Sequence, residues 1–288
     1  MTDSAPKPLA WITGAGGLIG NYLVQTAPQF APRWRILPLT RQSLDLLDHA
    51  AVRAAFERDR PGLVIHCAGL TRSPECQQRP ELARRANVEV TARLAELAAE
   101  IPFMFFSTDL VFDGRAGNYV ETSPVNPLSV YGETKVAAER VVLANPRHLV
   151  VRTSLNFGRS PTGDRGLNEQ LRSAVRDGRE LRLFTDEFRC PIAAAVTARA
   201  VWELMHGGHG GLFHVAGSER LSRYEIGRCL AARWPELQPK IIAASAREYP
   251  GAPRPADTSF NCAKVQAVLS FPLPGLRQWL QAHPGERL

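Results

Sequence analysis

A tyrosine and a lysine stand four residues apart in the stretch NPLSVYGETKVAAER, which runs from Asn126 to Arg140. If a helix begins near Val130, this spacing places Tyr131 and Lys135 on one helical face. An ammonium beside a phenol stabilises the phenolate, lowers the pKa of the tyrosine and makes it a better proton donor. An amphipathic helix produces the same spacing by chance, so other residues must decide between the two interpretations.

Two hydroxyl side chains close a neighbouring apolar segment. Ser107 and Thr108 end the predicted strand FMFFST, and Tyr131 follows Thr108 by 23 residues. Ligands of open α/β sheets bind at the carboxyl ends of the strands. The Thr108 hydroxyl can therefore bond and polarise the same carbonyl oxygen that the Tyr131 phenol protonates, which predicts chemistry on a carbonyl group at this strand end.

Three glycines recur at intervals of three in TGAGGLIG, between the first predicted strand and the first predicted helix: Gly14, Gly17 and Gly20. Such glycines permit a tight turn, let the backbone approach a pyrophosphate and allow the helix to pack closely on the strand. The N–H groups at the helix N-terminus favour a phosphate. The motif favours dinucleotide binding over a glycine-rich turn that binds no ligand.

The second predicted strand, WRILPLT, ends where dinucleotide-binding proteins contact the adenosine ribose. A carboxylate at this place bonds the 2′-hydroxyl of NAD, but here Thr40 and Arg41 follow the strand. Arg41 can pair with a 2′-phosphate, which favours NADPH. NADH stays open, because an arginine here is also typical of an exposed surface. Asp45, in SLDLLD, can instead face the adenine.

Apolar segments alternate with helical patterns along the first half of the chain. The predicted strands are PLAWIT, WRILPLT, GLVIHCAG, FMFFST and HLVVRTS, and the helices between them include LIGNYLVQTA, AAVRAAFERD and the long ELARRANVEVTARLAELAAE. Strands that are apolar on both faces and separated by helices predict an α/β fold with a doubly wound parallel sheet of Rossmann type.

The pattern loosens after about residue 157. GLFHVAG predicts a strand, TARAVWELMHG and SRYEIGRCLAARW predict helices, and residues 236–260, rich in Pro and Ala, predict irregular structure. We expect a Rossmann domain over residues 1–157 and a smaller, mainly substrate-binding lobe over residues 158–288, from which some segments return to the Rossmann core.

The bulk composition is that of a globular enzyme. The 288 residues contain no apolar run of membrane-spanning length and no N-terminal secretion signal, so we expect a cytoplasmic protein. Five dispersed cysteines and seven dispersed histidines predict reduced thiols and no metal site. The net charge of +7 suits an anionic ligand. The arginines form no basic run with interleaved aromatics, so nucleic acid is not an expected partner.

Taken in order, these motifs resemble the extended short-chain dehydrogenase/reductase superfamily and, within it, the dTDP-4-dehydrorhamnose reductase branch. The segments that carry the resemblance span nearly the whole chain: TGAGGLIG, HCAGLT, PECQQRPELARRANV, STDLVFDG, ETSPVNPLSVYGETKVAAE, RTSLNFG and RPADTSFNCAKVQ. STDLVFDG is the segment most specific to the branch. The resemblance implies an NAD(P)H-dependent reductase, or the reverse dehydrogenase, that acts on a keto group of a sugar nucleotide.

By this resemblance Tyr131 is the general acid, Thr108 bonds the reacting oxygen, and Lys135 holds the nicotinamide ribose and depresses the Tyr131 pKa. Asn87 matches an asparagine that supports the active-site helix or strand; a buried asparagine without a catalytic part is the alternative. The full set of residues expected at the cofactor is Gly14, Gly17, Leu18, Ile19, Gly20, Arg41, Asp45, Leu46, Ala68, Gly69, Thr71, Tyr131 and Lys135.

The sequence departs from the branch where the nucleotide sugar should bind. The departures are Leu155, Asn156 and Phe157 after RTS, where an aromatic usually comes first, Arg189 and Cys190 where small residues are usual, and Pro74 in place of an Asp. The residues expected at the substrate are Thr108, Asp109, Leu155, Asn156 and Arg189. Arg189 either adds charge for a phosphate or a carboxylate, or faces solvent.

Three functions stay open at this point. A sugar-nucleotide reductase is favoured, an epimerase or dehydratase of an NDP-sugar uses the same Tyr and Lys, and a regulatory subunit binds NADP without catalysis and docks to a partner enzyme. The joint presence of Thr108, Tyr131 and Lys135 favours an enzyme, since a regulatory chain has no physical need of all three. Homodimers are common in the superfamily, although no segment here identifies an interface.

Overall fold

Six parallel strands form the centre of the protein. The computed structural model describes residues 6–248, 254–286 and 288. The central strands are β1 (Leu9–Thr13), β2 (Arg35–Leu39), β3 (Leu63–His66), β4 (Phe103–Thr108), β5 (Leu149–Thr153) and β10 (Gly211–Val215). They pair in the order β10-β5-β4-β3-β1-β2, and each pairing is parallel. The predicted doubly wound α/β sheet is confirmed.

Helices cover both faces of this sheet, which is why its strands are apolar on both sides. In β1, Ala10 and Ile12 face one apolar cluster and Trp11 faces the other. The first cluster includes helices α1 (Leu18–Phe30) and α8 (Ala194–His206). The second includes α2 (His49–Asp59), α5 (Val90–Leu97) and α6 (Val130–Leu143). No helix among the described residues is long and apolar enough to cross a membrane.

The long helix predicted over residues 81–100 is interrupted. Short helices α3 (Ser73–Gln78) and α4 (Pro80–Arg84) come first, and Arg85–Glu89 form a π-helical turn before α5. Within that turn the Asn87 side chain bonds to the backbone of Leu70, outside the helix. The apolar residues on either side keep helical spacing, so the sequence pattern does not reveal the wider turn, a feature frequent at functional sites.

The second half of the chain adds a lobe of short elements. Its strands pair as β6 (Asn156–Phe157) with β9 (Ile192–Ala193), β7 (Leu181–Phe184) with β12 (Ile241–Ala244), and β8 (Phe188–Arg189) with β11 (Leu221–Ser222). Its helices are α7 (Leu167–Arg176), α9 (Arg223–Ala231), α10 (Ala263–Gln266) and α11 (Leu276–Ala282). β10 and α8 belong to the central layers, and the division at residue 157 stays a prediction.

The irregular structure predicted over residues 236–260 is wrong in part. Strand β12 runs parallel to β7 within this stretch, and Ala246–Glu248 form a 3-10 turn. The partner strand is distant in sequence, so a local pattern of four residues does not indicate the pairing. Residues 249–253 lie outside the described residues.

A buried ion pair attaches α6 to the sheet. Arg152 of β5 donates from Nε and Nη2 to the two carboxylate oxygens of Glu139, at 2.9 and 2.7 Å. Both side chains are 4% exposed. A bidentate pair of this kind fixes orientation as well as distance. It therefore holds α6, which carries Tyr131 and Lys135, in a defined position on the sheet.

We expect Glu139→Gln to lower the free energy of unfolding by about 3–5 kcal/mol, because it leaves the Arg152 guanidinium buried without its counter-charge. Urea denaturation measures this loss. The double variant Glu139→Met/Arg152→Met removes both charges at similar volume and recovers most of it. A double variant less stable than Glu139→Gln would show that the charges do not act as a pair.

Candidate active site

Tyr131 and Lys135 lie on one face of α6, which begins one residue before Tyr131. The Ser129 hydroxyl caps the helix by accepting a hydrogen bond from the Gly132 N–H at 3.2 Å. A Cβ at Gly132 would lie 2.4 Å from the Leu110 carbonyl oxygen, so only glycine permits this approach to the segment after β4. Tyr131 is 9% and Lys135 5% exposed. The sequence-predicted pair is therefore held inside the fold at the carboxyl edge of the sheet.

Thr108 reaches the Tyr131 phenol from the end of β4. Burial raises the pKa of Tyr131 above its ordinary value, and the hydrogen bond with Thr108 acts in the opposite direction. The Thr108 hydroxyl also lies 3.2 Å from Asp109 Oδ1 and accepts a hydrogen bond from the Leu110 N–H at 3.2 Å. The phenol and a carboxylate thus compete for one hydroxyl proton.

Lys135 packs its ammonium against an aromatic ring. Its Nζ lies 4.0 Å from the centroid of the Phe105 ring. Burial lowers the pKa of Lys135 to about 7, and the charge of Glu139 acts in the opposite direction. The charge that raises the Tyr131 pKa most is that of Asp109. The expected depression of the Tyr131 pKa by Lys135 stays a prediction.

The glycine-rich turn forms a cradle at the N-terminus of α1. Gly14 has φ +67°, and a Cβ there would lie 2.6 Å from the Ala68 backbone nitrogen. A Cβ at Gly20 would lie 2.4 Å from the Gly14 carbonyl oxygen. No side chain caps the helix at Gly17, and its first turn holds no acidic residue. The first N–H groups of α1, from Leu18 onward, are therefore directed at space that suits a phosphate.

The other residues expected at the cofactor lie on loops that border the same crevice. Because β1 lies between β2 and β3, the loops that follow these strands meet at one edge of the sheet. Arg41 and Asp45 are exposed after β2, and Leu46 packs against the core. After β3 come the half-buried Ala68 and the exposed Gly69 and Thr71.

Asn87 connects the loop after β3 to α6. Its Oδ1 accepts a hydrogen bond from the Leu70 N–H at 2.7 Å, and its Nδ2 donates to the Leu70 carbonyl oxygen and to Thr134 Oγ1, each at 3.0 Å. Asn87 is 1% exposed. The side chain has the supporting position that the sequence resemblance implies.

Asp109 is a buried meeting point of the two lobes. Its Oδ2 accepts hydrogen bonds from Ser154 Oγ at 2.9 Å and Thr258 Oγ1 at 2.8 Å, and it lies 3.4 Å from Arg189 Nε. These partners come from the end of β5, from the C-terminal segment and from β8. Asp109 is 4% exposed, so its contacts with the protein hold the second lobe against the end of β4.

Three other residues that the sequence predicts at the substrate contact other residues of the protein. Arg189 is 2% exposed, so its interpretation as a solvent-facing residue is wrong. The Leu155 carbonyl accepts from the Ile192 N–H, and its side chain packs in the lobe core. Asn156 donates to Thr153 Oγ1 at 2.9 Å and accepts from Thr197 Oγ1 at 2.7 Å. Leu155 and Asn156 are both half-buried; Leu155 directly precedes β6 and Asn156 is its first residue.

Sequence reasoning missed the polar residues that anchor α6 and that contact Asp109 and Arg189. Glu139 and Arg152 anchor α6, Ser154 and Thr258 bond Asp109, and Glu187 pairs with Arg189 at 3.1 Å. Thr258, Glu139, Arg152 and Ser154 lie in segments that carry the resemblance, which is the one signal that could have found them. Glu187 lies outside those segments and gives no local signal.

Comparison with known families confirms the predicted resemblance. The model of the RmlD substrate binding domain matches residues 10–284. The chain is 32% identical to the probable low-salt glycan biosynthesis reductase Agl14 of Haloferax volcanii, over 95% of this chain and 96% of the relative. It is 31% identical to dTDP-4-dehydrorhamnose reductase of Sinorhizobium fredii, over 91% and 92%. Methionine adenosyltransferase 2 subunit beta of Xenopus laevis is 29% identical, over 92% and 84%.

Solved structures share the whole fold. A dTDP-4-dehydrorhamnose reductase of Clostridium acetobutylicum superposes with a TM-score of 0.87 at 25% identity, over 96% of this chain and 98% of that chain. The dTDP-4-dehydrorhamnose reductase of Bacillus anthracis, solved in complex with NADP, also has a TM-score of 0.87, at 23% identity and the same coverage. At 23% identity, the similarity to the Bacillus anthracis structure shows a shared fold.

The buried ammonium makes stability depend on pH. Lys135 has a pKa of about 7 in the folded protein, against about 10.4 for an unfolded lysine. Between these values the unfolded chain binds a proton that the folded protein lacks, so this residue makes stability rise with pH across the window. We expect Lys135→Met to raise the free energy of unfolding by on the order of 2–4 kcal/mol at pH 7 and by little at about pH 10.

Urea denaturation at a series of pH values measures this difference. Lys7→Met, a change at an exposed lysine, serves as the matched control and should be flat with pH. A stabilisation by Lys135→Met that is equal at all pH values would mean that apolar packing, not loss of a buried charge, produces it.

Proposed function

The chain belongs to the family of the RmlD substrate binding domain, and from this premise we propose that it is an NAD(P)H-dependent reductase of a keto group on a nucleotide sugar. The observation that carries the proposal is the buried Tyr131 phenol, whose pKa Thr108 lowers, at the same sheet edge as an uncapped, glycine-rich helix N-terminus. A proton donor and a dinucleotide cradle are what carbonyl reduction needs.

The substrate class rests on the relatives. The Sinorhizobium fredii relative is named dTDP-4-dehydrorhamnose reductase and matches this chain over nearly its full length. This supports a dTDP-4-keto-6-deoxy sugar as the first substrate to test. The second lobe supplies Thr258 and Arg189 to Asp109 beside the end of β4, so we assign sugar binding to the space between the lobes.

The residues present fit a nicotinamide dinucleotide. The first N–H groups of α1 would hold the pyrophosphate, and the approach of Gly14 to Ala68 leaves no room for a side chain in the cradle. Arg41 is exposed at the end of β2, where a 2′-phosphate would lie, and this favours NADPH over NADH. When bound, the nicotinamide supplies the hydride.

The protein's own part in the reaction is proton delivery and orientation. Thr108 bonds the substrate carbonyl oxygen and so polarises it, and Tyr131 donates its proton to that oxygen as negative charge develops there. Lys135 would hold the nicotinamide ribose of the bound cofactor through its ammonium. Burial of all three groups excludes water and strengthens their electrostatic effect on the reacting oxygen.

A non-catalytic role is the second candidate, and one observation favours it. A relative that is 29% identical over 92% of this chain is named as a subunit of methionine adenosyltransferase.

An epimerase or dehydratase would use the same phenol without net consumption of cofactor. A cytoplasmic location and a homodimer also belong to the proposal, and light scattering of the purified protein tests the dimer.

We expect Tyr131→Phe to lower kcat for reduction of a dTDP-4-keto-6-deoxy sugar by about 10²–10⁴-fold, because the general acid is lost while the ring is kept. NADPH affinity, followed by fluorescence titration, should change by less than about threefold. Turnover is measured as oxidation of NADPH at saturating substrate.

Two outcomes would contradict the proposal. If Tyr131→Phe reduced the sugar as fast as the wild type, Tyr131 would not be the acid. If the wild type bound NADPH tightly, turned over no nucleotide sugar and co-purified with another enzyme, the regulatory function would replace the reductase.

A pair of adjacent glycines tests the cradle. A Cβ at Gly17 would meet the Gly14 carbonyl oxygen at 3.2 Å at the place where the pyrophosphate approaches, whereas a Cβ at Gly16 would meet Thr40 Cγ2 at an ordinary 3.8 Å. We expect Gly17→Ala to weaken NADPH binding at least about tenfold, equivalent to about 1.4 kcal/mol, and Gly16→Ala to bind as the wild type. Equal effects of the two variants in calorimetric titrations would place the pyrophosphate elsewhere.

A further inference from the structure

A buried guanidinium pairs with the carboxylate that contacts the candidate catalytic hydroxyl. Arg189 is 2% exposed, at a position where the branch usually has a small residue. Its Nη1 donates to the carbonyl oxygens of Phe188 and Pro255, at 2.7 and 3.2 Å. Its Nη2 donates to the Pro255 carbonyl at 3.1 Å and lies 3.1 Å from Glu187 Oε1. Its Nε lies 3.4 Å from Asp109 Oδ2. Each nitrogen therefore faces protein oxygens, and the guanidinium is not free to bind a phosphate.

The two carboxylates that Arg189 contacts depend on it to different degrees. Glu187 also pairs with Arg254, whose Nη2 donates to Glu187 Oε1 at 3.0 Å. The same Oε1 lies 3.9 Å from Arg223 Nε. Asp109 accepts hydrogen bonds from three hydroxyl groups. Among the described residues, Arg189 is the one cation with which it forms an ion pair. Loss of Arg189 thus removes the cation in ion-pair contact with Asp109 and leaves it the more distant charge of Arg223, whereas Glu187 stays paired.

We propose that Arg189 is a positioning residue for the reduction: by pairing with Asp109 it balances the carboxylate that contacts Thr108 and leaves the Thr108 proton available to the substrate oxygen. This inference rests on the proposed function. The Thr108 hydroxyl has one proton, and Asp109 Oδ1 lies 3.2 Å from its oxygen. A guanidinium on the other carboxylate oxygen weakens the hydrogen bond between Asp109 and Thr108, since a paired carboxylate attracts the Thr108 proton less.

Arg189 also acts on Tyr131 through the same carboxylate. The charge of Asp109 raises the pKa of the Tyr131 phenol, and a cation on Asp109 opposes this effect. The other ionisable groups facing the pair leave this balance unchanged near neutral pH. Burial raises the pKa of the Cys76 and Cys190 thiols to about 11, so both are neutral. Arg223 acts on both Glu187 and Asp109 from α9, and it stays charged near neutral pH because burial lowers its pKa only to about 10.

The first test needs no turnover. The five tyrosines are labelled with ¹³C at the ring carbon that bears the hydroxyl, and Tyr131→Phe identifies the Tyr131 resonance. We expect Arg189→Met to move this resonance, because Asp109 without its guanidinium holds the Thr108 proton more strongly and raises the pKa of the phenol further, and Arg189→Met/Asp109→Asn to return it toward the wild-type position. Arg220→Met, which breaks an ion pair with Asp257 in the same lobe, is the control and should leave it in place.

The second test is the pH profile of reduction. We expect Arg189→Met to lower kcat by about 10–100-fold with KM changed less than about threefold. The pH above which kcat falls, the alkaline limb of the profile, should rise by about one pH unit because the Tyr131 pKa rises. Addition of Asp109→Asn should reverse the shift of the limb. Arg189→Lys keeps the charge and should keep the limb near the wild-type position, which covers the case that Arg189→Met folds poorly.

The outcomes separate this inference from the proposed function. If the wild type reduces no nucleotide sugar, the proposed function fails, and the Tyr131 resonance still reports whether Arg189 acts through Asp109. An unmoved Tyr131 resonance in Arg189→Met overturns the inference. So does a double variant that behaves like Arg189→Met, or a loss confined to KM or to thermal stability, because each would mean that Arg189 acts only on packing.

Discussion

The site depends on one constraint: ionisable groups at the carboxyl edge of the sheet are removed from water, and each needs a partner inside the protein. A buried charge without a partner costs several kcal/mol. Glu139 meets this need with Arg152, and Asp109 meets it with Arg189 and three hydroxyls. Lys135 lies over an aromatic ring, and burial lowers its pKa to about 7. The first two partnerships hold α6 and the second lobe in place, while the third leaves an ammonium ready to gain a partner.

The same constraint connects the two halves of the chain. The glycine cradle, β4 and α6 all come from the first half, whereas Arg189 and Thr258 come from the second and meet the first half at Asp109. These contacts hold the two halves of the chain together at the end of β4. Arg189, where the sequence departs from the branch, therefore lies at the joint between the two lobes.

The sequence predicted those features that depend on local pattern. The strands apolar on both faces, the start of α6 before Tyr131 and the glycine turn all follow from spacing within a few residues. Features that depend on distant partners were beyond such reasoning. The π-helical turn at Asn87 exists because a side chain bonds Leu70 and Thr134, and β12 exists because β7 lies beside it. Arg189 was interpreted as a ligand-binding or exposed cation because its two carboxylate partners, Asp109 and Glu187, could not be identified before the chain was folded.

The transfer of deuterium from NADPH labelled at the nicotinamide C4 to a dTDP-4-keto-6-deoxy sugar tests the central claim most directly. The account predicts one deuterium on the carbon of the former keto group, found by mass spectrometry and NMR of the product, with one NADPH oxidised for each sugar reduced. An isomerised or dehydrated sugar formed without net oxidation of NADPH would contradict the reductase and identify an epimerase or dehydratase. An unchanged sugar beside tightly bound, unoxidised NADPH would show that the protein binds the cofactor without using it on this class of substrate.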